Sequence, residues 1–202
     1  MKKTIFLFLS FSIIINCFSQ ISKEYLQSGI AKKNLKDYQG AIADFNKAIE
    51  KDPKNAEAYF YRGLCKSDLQ DYRGAIVDYN KAIEINPNYA KAYFARGFTI
   101  AGTQQEHKIA IQDYTKAIEI DPKYIVAYAY RGFSKKDLKD YQGALLDVEK
   151  AIEMDPKYGF AYFVRGGIKL ELGQKDDGCL DLSKAGELGY GDAYNIIKEF
   201  CN

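Results

Sequence analysis

The chain has 202 residues, 47% hydrophobic and 28% charged, a globular composition long enough for one domain or a short repeat array. Its 4 prolines exclude long stiff linkers. The formal charge is +2, and removing Lys2 and Lys3 from 29 basic residues leaves 27 against 27 acidic ones, a balance that excludes the electrostatic footprint of a nucleic-acid binder and argues against anionic lipid surfaces.

Lys2 and Lys3 precede an apolar run from Ile5 to Ile15, interrupted only by Ser10 and Ser12. The run is shorter than the roughly 20 residues a membrane-spanning helix needs. A basic start, a short apolar run and then small residues form the pattern of a secretory signal peptide over residues 1–19. Cys17 and Ser19 take the small-residue places before a cleavage ahead of Gln20. Ile14-Ile15-Asn16-Cys17 also resembles a lipoprotein box, in which Cys17 would carry the lipid, although Asn16 departs from the small residue that box prefers. The expectation is an exported protein, periplasmic or extracellular. The alternative is a lipid-anchored component of an envelope assembly, and only lipidation of Cys17 would bring the chain to a membrane.

From there the chain repeats. Asp52-Pro53, Asn86-Pro87, Asp121-Pro122 and Asp155-Pro156 recur at steps of 34, 35 and 34 residues. They mark five units within 20–192: 22–55, 56–89, 90–124, 125–158 and 159–192. Each unit opens a first helix with a tyrosine (Tyr25, Tyr59, Tyr93, Tyr128, Tyr162), followed four residues later by a glycine (Gly29, Gly63, Gly97, Gly132, Gly166). A mid-helix glycine costs about 1 kcal/mol against alanine, so five in register imply close approach of a second helix. That second helix carries Ala41, Ala75, Ala110, Ala144 and Gly178, then Ala48, Ala82, Ala117, Ala151 and Ala185, on an apolar face with helical spacing. Asp37, Asp71 and Asp140 sit where an N-cap is needed, and the prolines stop the second helices. The third unit has one extra residue between Ala101 and Lys108 and lacks the Asp-Tyr turn. The fifth has Gly173-Gln174-Lys175 there and reads as a degraded end repeat. Residues 193–202 read as a C-terminal capping helix.

These residues resemble the tetratricopeptide repeat (TPR) family over about Ser22 to Asp192. The resemblance implies an all-α fold, an α-α superhelix of about five helix-turn-helix repeats, with the first helices lining a concave inner face. It implies a non-catalytic scaffold that binds a protein or peptide there. The residues one after each tyrosine and four beyond that are then the groove: Leu26 and Ile30, Phe60 and Leu64, Phe94 and Phe98, Ala129 and Phe133, Phe163 and Gly167. A contiguous apolar stripe on an exposed face marks an interaction surface, with aromatics as anchors. The same side chains could instead pack sideways as core. The Lys/Asn clamp by which some relatives hold a C-terminal carboxylate is absent, since Leu26, Ile30 and Ala95 occupy its places. An uncovered groove or end repeat would also admit homo-oligomers.

Arg62, Arg96, Arg131 and Arg165 precede the helix glycine, where the family more often has leucine, and each unit supplies an aspartate, Asp78, Asp113, Asp147 or Asp181. The pattern suggests a ladder of part-buried ion pairs; an anion-binding arginine row is the functional alternative. Asp44 faces Ser28 in its own unit, which favours pairing with Arg62 of the next. Cys65 reads as a small buried residue. Cys179 and Cys201 could bridge in an oxidising compartment, contributing roughly 3 kcal/mol in a chain-entropy account; the alternative is two thiols. A single histidine, His107, reads as an inert surface residue. With no metal-ligand spacing, no Gly-rich phosphate loop and no nucleophile–base set, neither metal nor cofactor is expected, and an enzyme is a distant third reading.

Overall fold

The computed structural model describes residues 19–104 and 106–201. The expected signal peptide, apart from Ser19, and Cys17 lie outside the described residues. Among the described residues every regular element is a helix. Helix α1 runs through 19–34 and is followed by α2 (Tyr38–Lys51), α3 (Ala56–Asp68), α4 (Tyr72–Ile85), α5 (Ala90–Gln104) and α6 (His107–Ile120). Beyond these come α7 (Ile125–Asp137), α8 (Tyr141–Met154), α9 (Gly159–Glu171), α10 (Lys175–Glu187) and α11 (Ala193–Phe200). The helices are divided between two compact units, one ending at Thr99 and the other beginning at Ile100.

Within each unit the helices pack as antiparallel pairs, and the pairing rests on the repeat glycines. A β-carbon at Gly63 in α3 would come 2.6 Å from Cε1 of Tyr79 and 3.2 Å from the Ala75 carbonyl oxygen, both in α4. In the second unit a β-carbon at Gly132 would meet Val148 Cγ1 at 2.8 Å. The glycine therefore does more than admit the small alanines. It receives the large residue that follows the repeat aspartate, and Phe45, Tyr79, Val148 and Leu182 are among the largest fully buried side chains. Ala41, Ala75 and Ala144, all fully buried, bring the backbones together beside that contact.

One aspartate turns the chain between the helices of a pair. The Asp71 backbone N–H closes α3 on the Lys66 carbonyl at 2.8 Å, and its side chain accepts from Gly74 N–H at 2.9 Å to open α4. Asp37 and Asp140 make the same two bonds for their helices. This geometry sends the preceding residue to positive φ: Lys36 at 62°, Gln70 at 65° and Lys139 at 63°. Gly173, at 77°, occupies that place in the fifth repeat. It is therefore the residue best suited to the turn rather than a mark of decay. Between pairs, Asp52, Asn86, Asp121 and Asp155 end the second helices, and each side chain accepts from the backbone N–H two residues on. The proline that follows cannot continue the ladder.

At the C-terminus α11 packs on α10, with Ala193, Leu182 and Ala185 buried together. A disulfide joins Cys179 in α10 to Cys201 just after α11. Cys65 is a buried free thiol, and burial raises its pKa to about 11.

The turn geometry sets a stability prediction. A left-handed residue other than glycine is strained by roughly 1–2 kcal/mol, part of which the freer unfolded chain of a glycine variant offsets. Gln70→Gly is expected to raise the thermal midpoint by roughly 2 °C. Asp71→Ala loses the cap and is expected to cost about 1 kcal/mol. Melting curves followed by circular dichroism measure both.

Candidate functional site

The arginines and aspartates are placed by the helix pairing. Arg62 precedes Gly63 and Asp78 precedes Tyr79, so both flank the tightest contact of the pair. Arg62 donates from Nε to Asp78 Oδ2 at 2.9 Å and from Nη2 to Oδ1 at 2.5 Å. Arg131 binds Asp147 (2.9 and 2.6 Å) and Arg165 binds Asp181 (2.8 and 2.6 Å) through the same fork. A lysine one helical turn after each arginine joins the carboxylate: Lys66 at 2.8 Å, Lys135 at 2.8 Å and Lys169 at 2.7 Å. The guanidinium also stands over the tyrosine three residues earlier, 5.3 Å from the Tyr59 ring in the second repeat and 5.6 Å from Tyr128 in the fourth. In the third repeat Arg96 lies over Tyr93 and donates to Asn80 at 2.6 Å, while Asp113 is buried in α6.

These pairs lie within a repeat, and the arginine's remaining nitrogen reaches to the previous one. Arg62 Nη1 donates to Asn46 at 2.6 Å, and Arg131 Nη1 to Thr115 at 3.1 Å. Asp44 does not pair with Arg62. It accepts from Ser28 at 2.6 Å and binds Lys32 at 2.6 Å, both from its own repeat, because the short Ser28 hydroxyl is close enough to take the arginine's place. With Nε and Nη2 of Arg62, Arg131 and Arg165 committed to carboxylates, these three residues do not form an anion-binding row.

The first-helix positions fall into two groups. Leu26 and Phe60 are 4% and 6% exposed, so they belong to the core and not to a groove. Phe60 is enclosed by rings of Tyr61, Tyr79 and Tyr89 at centroid separations of 5.3, 6.2 and 5.0 Å. Ala129, at the matching place in α7, is fully buried. Ile30 and Leu64 are partly buried against the cores beneath them. Phe94 and Phe98 stack with centroids 6.2 Å apart, and Phe98 is 47% exposed. In the second unit Phe133 and Phe163 are partly buried, and Phe163 packs 4.6 Å from Tyr190. A larger aromatic cluster there joins Phe160 to Tyr130, Tyr158 and Tyr190; Tyr158 holds the repeat place of Tyr89 and Tyr124, and Tyr130 that of Tyr61, whereas Phe160 has no aromatic counterpart. The residues matching Phe160 are Lys23, Glu57, Lys91 and Val126, so the repeat pattern does not mark it.

Beside Phe133 the second unit has a cleft of about 560 Å³, lined by Ala101, Gly102, His107, Phe133, Lys136, Asp137, Lys139 and Glu171. Such a volume accommodates a side chain or a small ligand. Lys136 stands 5.3 Å over the Phe133 ring and forms ion pairs with Asp137 and Glu171. Glu171 accepts from the Tyr141 hydroxyl at 2.7 Å. A β-carbon at Gly167 would lie in ordinary van der Waals contact with Lys136, 3.7 Å from its Cε.

His107 opens α6, where the extra residue of the third repeat extends α5. It is not the surface residue expected, since its side chain is 15% exposed. Its Nδ1 lies 3.3 Å from Ser134 Oγ and its Nε2 3.4 Å from Asp137 Oδ2. The trio has the composition of a nucleophile–base–acid set, but Ser134 is 1% exposed and has no path to a substrate. The arrangement joins α6 to α7. Among the described residues no group of acidic, histidine or cysteine side chains is spaced to hold a metal.

Paired helices with a glycine contact, an aspartate turn and an Asx-Pro stop define a helical-hairpin repeat protein. Three family models name the repeat. Residues 56–89 and 78–112 each match a tetratricopeptide repeat model, and 32–65 matches a TPR repeat model. The chain therefore carries tetratricopeptide repeats, and its fold class is that of the TPR solenoids. A crystal structure of MamA protein is similar at 25% identity, covering 87% of this chain and 95% of that one, with a TM-score of 0.72. YrrB, described as a TPR protein with an unusual peptide-binding site, matches at 19% identity over 86% of this chain and 90% of its own, with a TM-score of 0.70. PilW, described as a widely conserved type IV pilus biogenesis factor, matches at 22% identity over 84% and 78%, with a TM-score of 0.76.

Two predictions test the ion-pair ladder. Asp147→Ala leaves Arg131 and Lys135, 15% and 21% exposed, without their carboxylate, and is expected to destabilise by about 3 kcal/mol. The double variant Arg131→Met/Asp147→Leu is expected to lose less than the sum of its single changes in denaturant melts. The second concerns acid. Burial raises the Asp44 pKa, but hydrogen bonds from Lys32 and Ser28 and the charges of Lys32 and Lys47 outweigh it, leaving the carboxyl below its ordinary 3.8. A carboxylate depressed on folding contributes stability above its unfolded pKa and loses it as pH falls through the folded value. Stability of the wild type should therefore decline below about pH 4, and more steeply than that of Asp44→Asn. Unfolding free energies measured between pH 6 and 2 would show the difference.

Proposed function

We propose that the protein is a non-catalytic scaffold that binds a protein or peptide through the exposed apolar residues of its first helices. The observation that carries this reading is the half-exposed Phe98, stacked on Phe94. Ile30 and Leu64 complete the candidate surface of the first unit. In the second unit it is Phe133, with the cleft beside it, and Phe163. Aromatic anchors surrounded by movable charged side chains are suited to a partner's side chains.

The relatives support the class of activity. TPR proteins are typically scaffolds rather than catalysts, and YrrB is described by a peptide-binding site. Export is part of the proposal and rests on the basic and apolar pattern of residues 1–19.

A peptide selected on the immobilised full chain provides the test. Its affinity for wild type would be compared with Phe94→Ser/Phe98→Ser and with Phe133→Ser, after circular dichroism shows unchanged helicity. At least one variant is expected to bind at least ~10-fold more weakly, a loss of about 1.4 kcal/mol. Equal affinities for all three proteins would remove the first-helix face from consideration.

A further inference from the structure

Helix α11 is eight residues long, well short of the roughly 12–15 residues at which an isolated helix becomes even marginal in water. It must therefore be held by what it touches. Ala193 is its one buried residue, and Ile196 and Ile197 are partly buried against the cluster of Leu182 and Ala185. Tyr194 and Phe200 are 59% and 50% exposed. Asp192 stands at its start without a side-chain capping bond, and the chain enters through Gly189 at φ 88°, with Gly191 two residues later. The near end is thus a glycine-containing turn, and the apolar contact is made by Ala193, Ile196 and Ile197, with the Tyr194 ring against Gly186. At the far end Cys201 is bonded to Cys179, close to the start of α10, at a sequence separation of 22.

We propose that the disulfide, and not the apolar contact, keeps α11 docked, which makes α11 a redox-released cover over the outer face of α10. A dithiol reductant delivers two electrons and two protons. The Cys179 Sγ–Cys201 Sγ bond breaks to give two thiols, and the reductant closes its own disulfide. The far end of α11 is then untethered, and the helix pivots on the glycine-containing turn. Release uncovers the part of the Leu182–Ala185 cluster on which Ala193, Ile196 and Ile197 rest. It also uncovers Gly186, against which the Tyr194 ring is packed. The α9–α10 pair has its own glycine contact, Gly166 against Gly178 and Leu182, and keeps its structure without α11. Cys65, buried and remote in sequence, takes no part.

Hydrogen exchange on the folded full chain, oxidised and after treatment with dithiothreitol, tests the proposal. Amides of 193–201 are expected to exchange ~100-fold faster after reduction, the scale of freeing a loop of this length, while 159–187 keep their protection. Cys201→Ser should show the fast exchange without reductant and no further response to it. Unchanged protection of α11 after reduction would mean that packing alone holds it, and would overturn the proposal. Loss of protection throughout 159–201 would overturn it as well, because the bond would then staple the whole pair rather than its cover.

Discussion

The helix pairs are drawn together where a first-helix glycine accepts the side chain that follows the repeat aspartate. At Gly63 the Tyr79 ring occupies the space a β-carbon would need, and at Gly132 Val148 does so. Because the arginine immediately precedes the glycine and the aspartate immediately precedes the inserted side chain, the same contact fixes both partners of the ion pair. Asp78, at 1% exposure, is compensated there by the fork of Arg62 and the ammonium of Lys66. Packing creates the dry site, and the charges make it specific to one register. A slip of one residue would leave a carboxylate without its cations and a ring against a helix backbone.

The features legible in the sequence are those set by local chemistry. The 34-residue step, the Asp-Pro stops and the glycine–alanine pattern indicate paired helices, because breakers and periodic apolar faces act over a few residues. The left-handed turn residues were not legible. Lys36, Gln70 and Lys139 have no tendency towards positive φ, and the hydrogen bonds of the following aspartate impose it. Only Gly173 carried the signal, and it read as decay. The lysine on the repeat aspartate is legible, since Lys32, Lys66, Lys135 and Lys169 recur at one place in four repeats.

The first-helix stripe divided for a reason that the sequence pattern does not contain. Phe60 and Phe94 hold the same place in successive repeats. Phe60 is buried among Tyr61, Tyr79 and Tyr89, whereas Phe94, followed by the small Ala95, is half-buried. A ring is enclosed or exposed according to the size of its neighbours, and the position rule carries no such information. His107 was misplaced for a related reason. The extra residue lengthened α5 and put the imidazole at the start of α6, against Ser134 and Asp137 of α7 rather than in solvent.

The charges of the ladder are spent on the fold, and this restricts where recognition can occur. A fork bound to a nearly buried carboxylate has no capacity for a partner's anion, and removing it would cost the pair its structure. What remains free to vary is the outer part of the first helices, where the glycine contact makes no demand. In the first unit that part holds the Phe94–Phe98 stack. In the second it holds Phe133 beneath Lys136, whose ammonium is tied to Asp137 and Glu171 by pairs of 3.2 and 3.5 Å at partly exposed positions. Exposed pairs of this kind contribute little and exchange easily. If Phe133 belongs to the proposed binding surface, an incoming side chain would lift Lys136 from the ring, take the apolar surface and leave the lysine a carboxylate to return to. That combination suits an extended chain of mixed character better than a rigid small molecule, because each step replaces one weak contact with another and no buried charge is left without a partner.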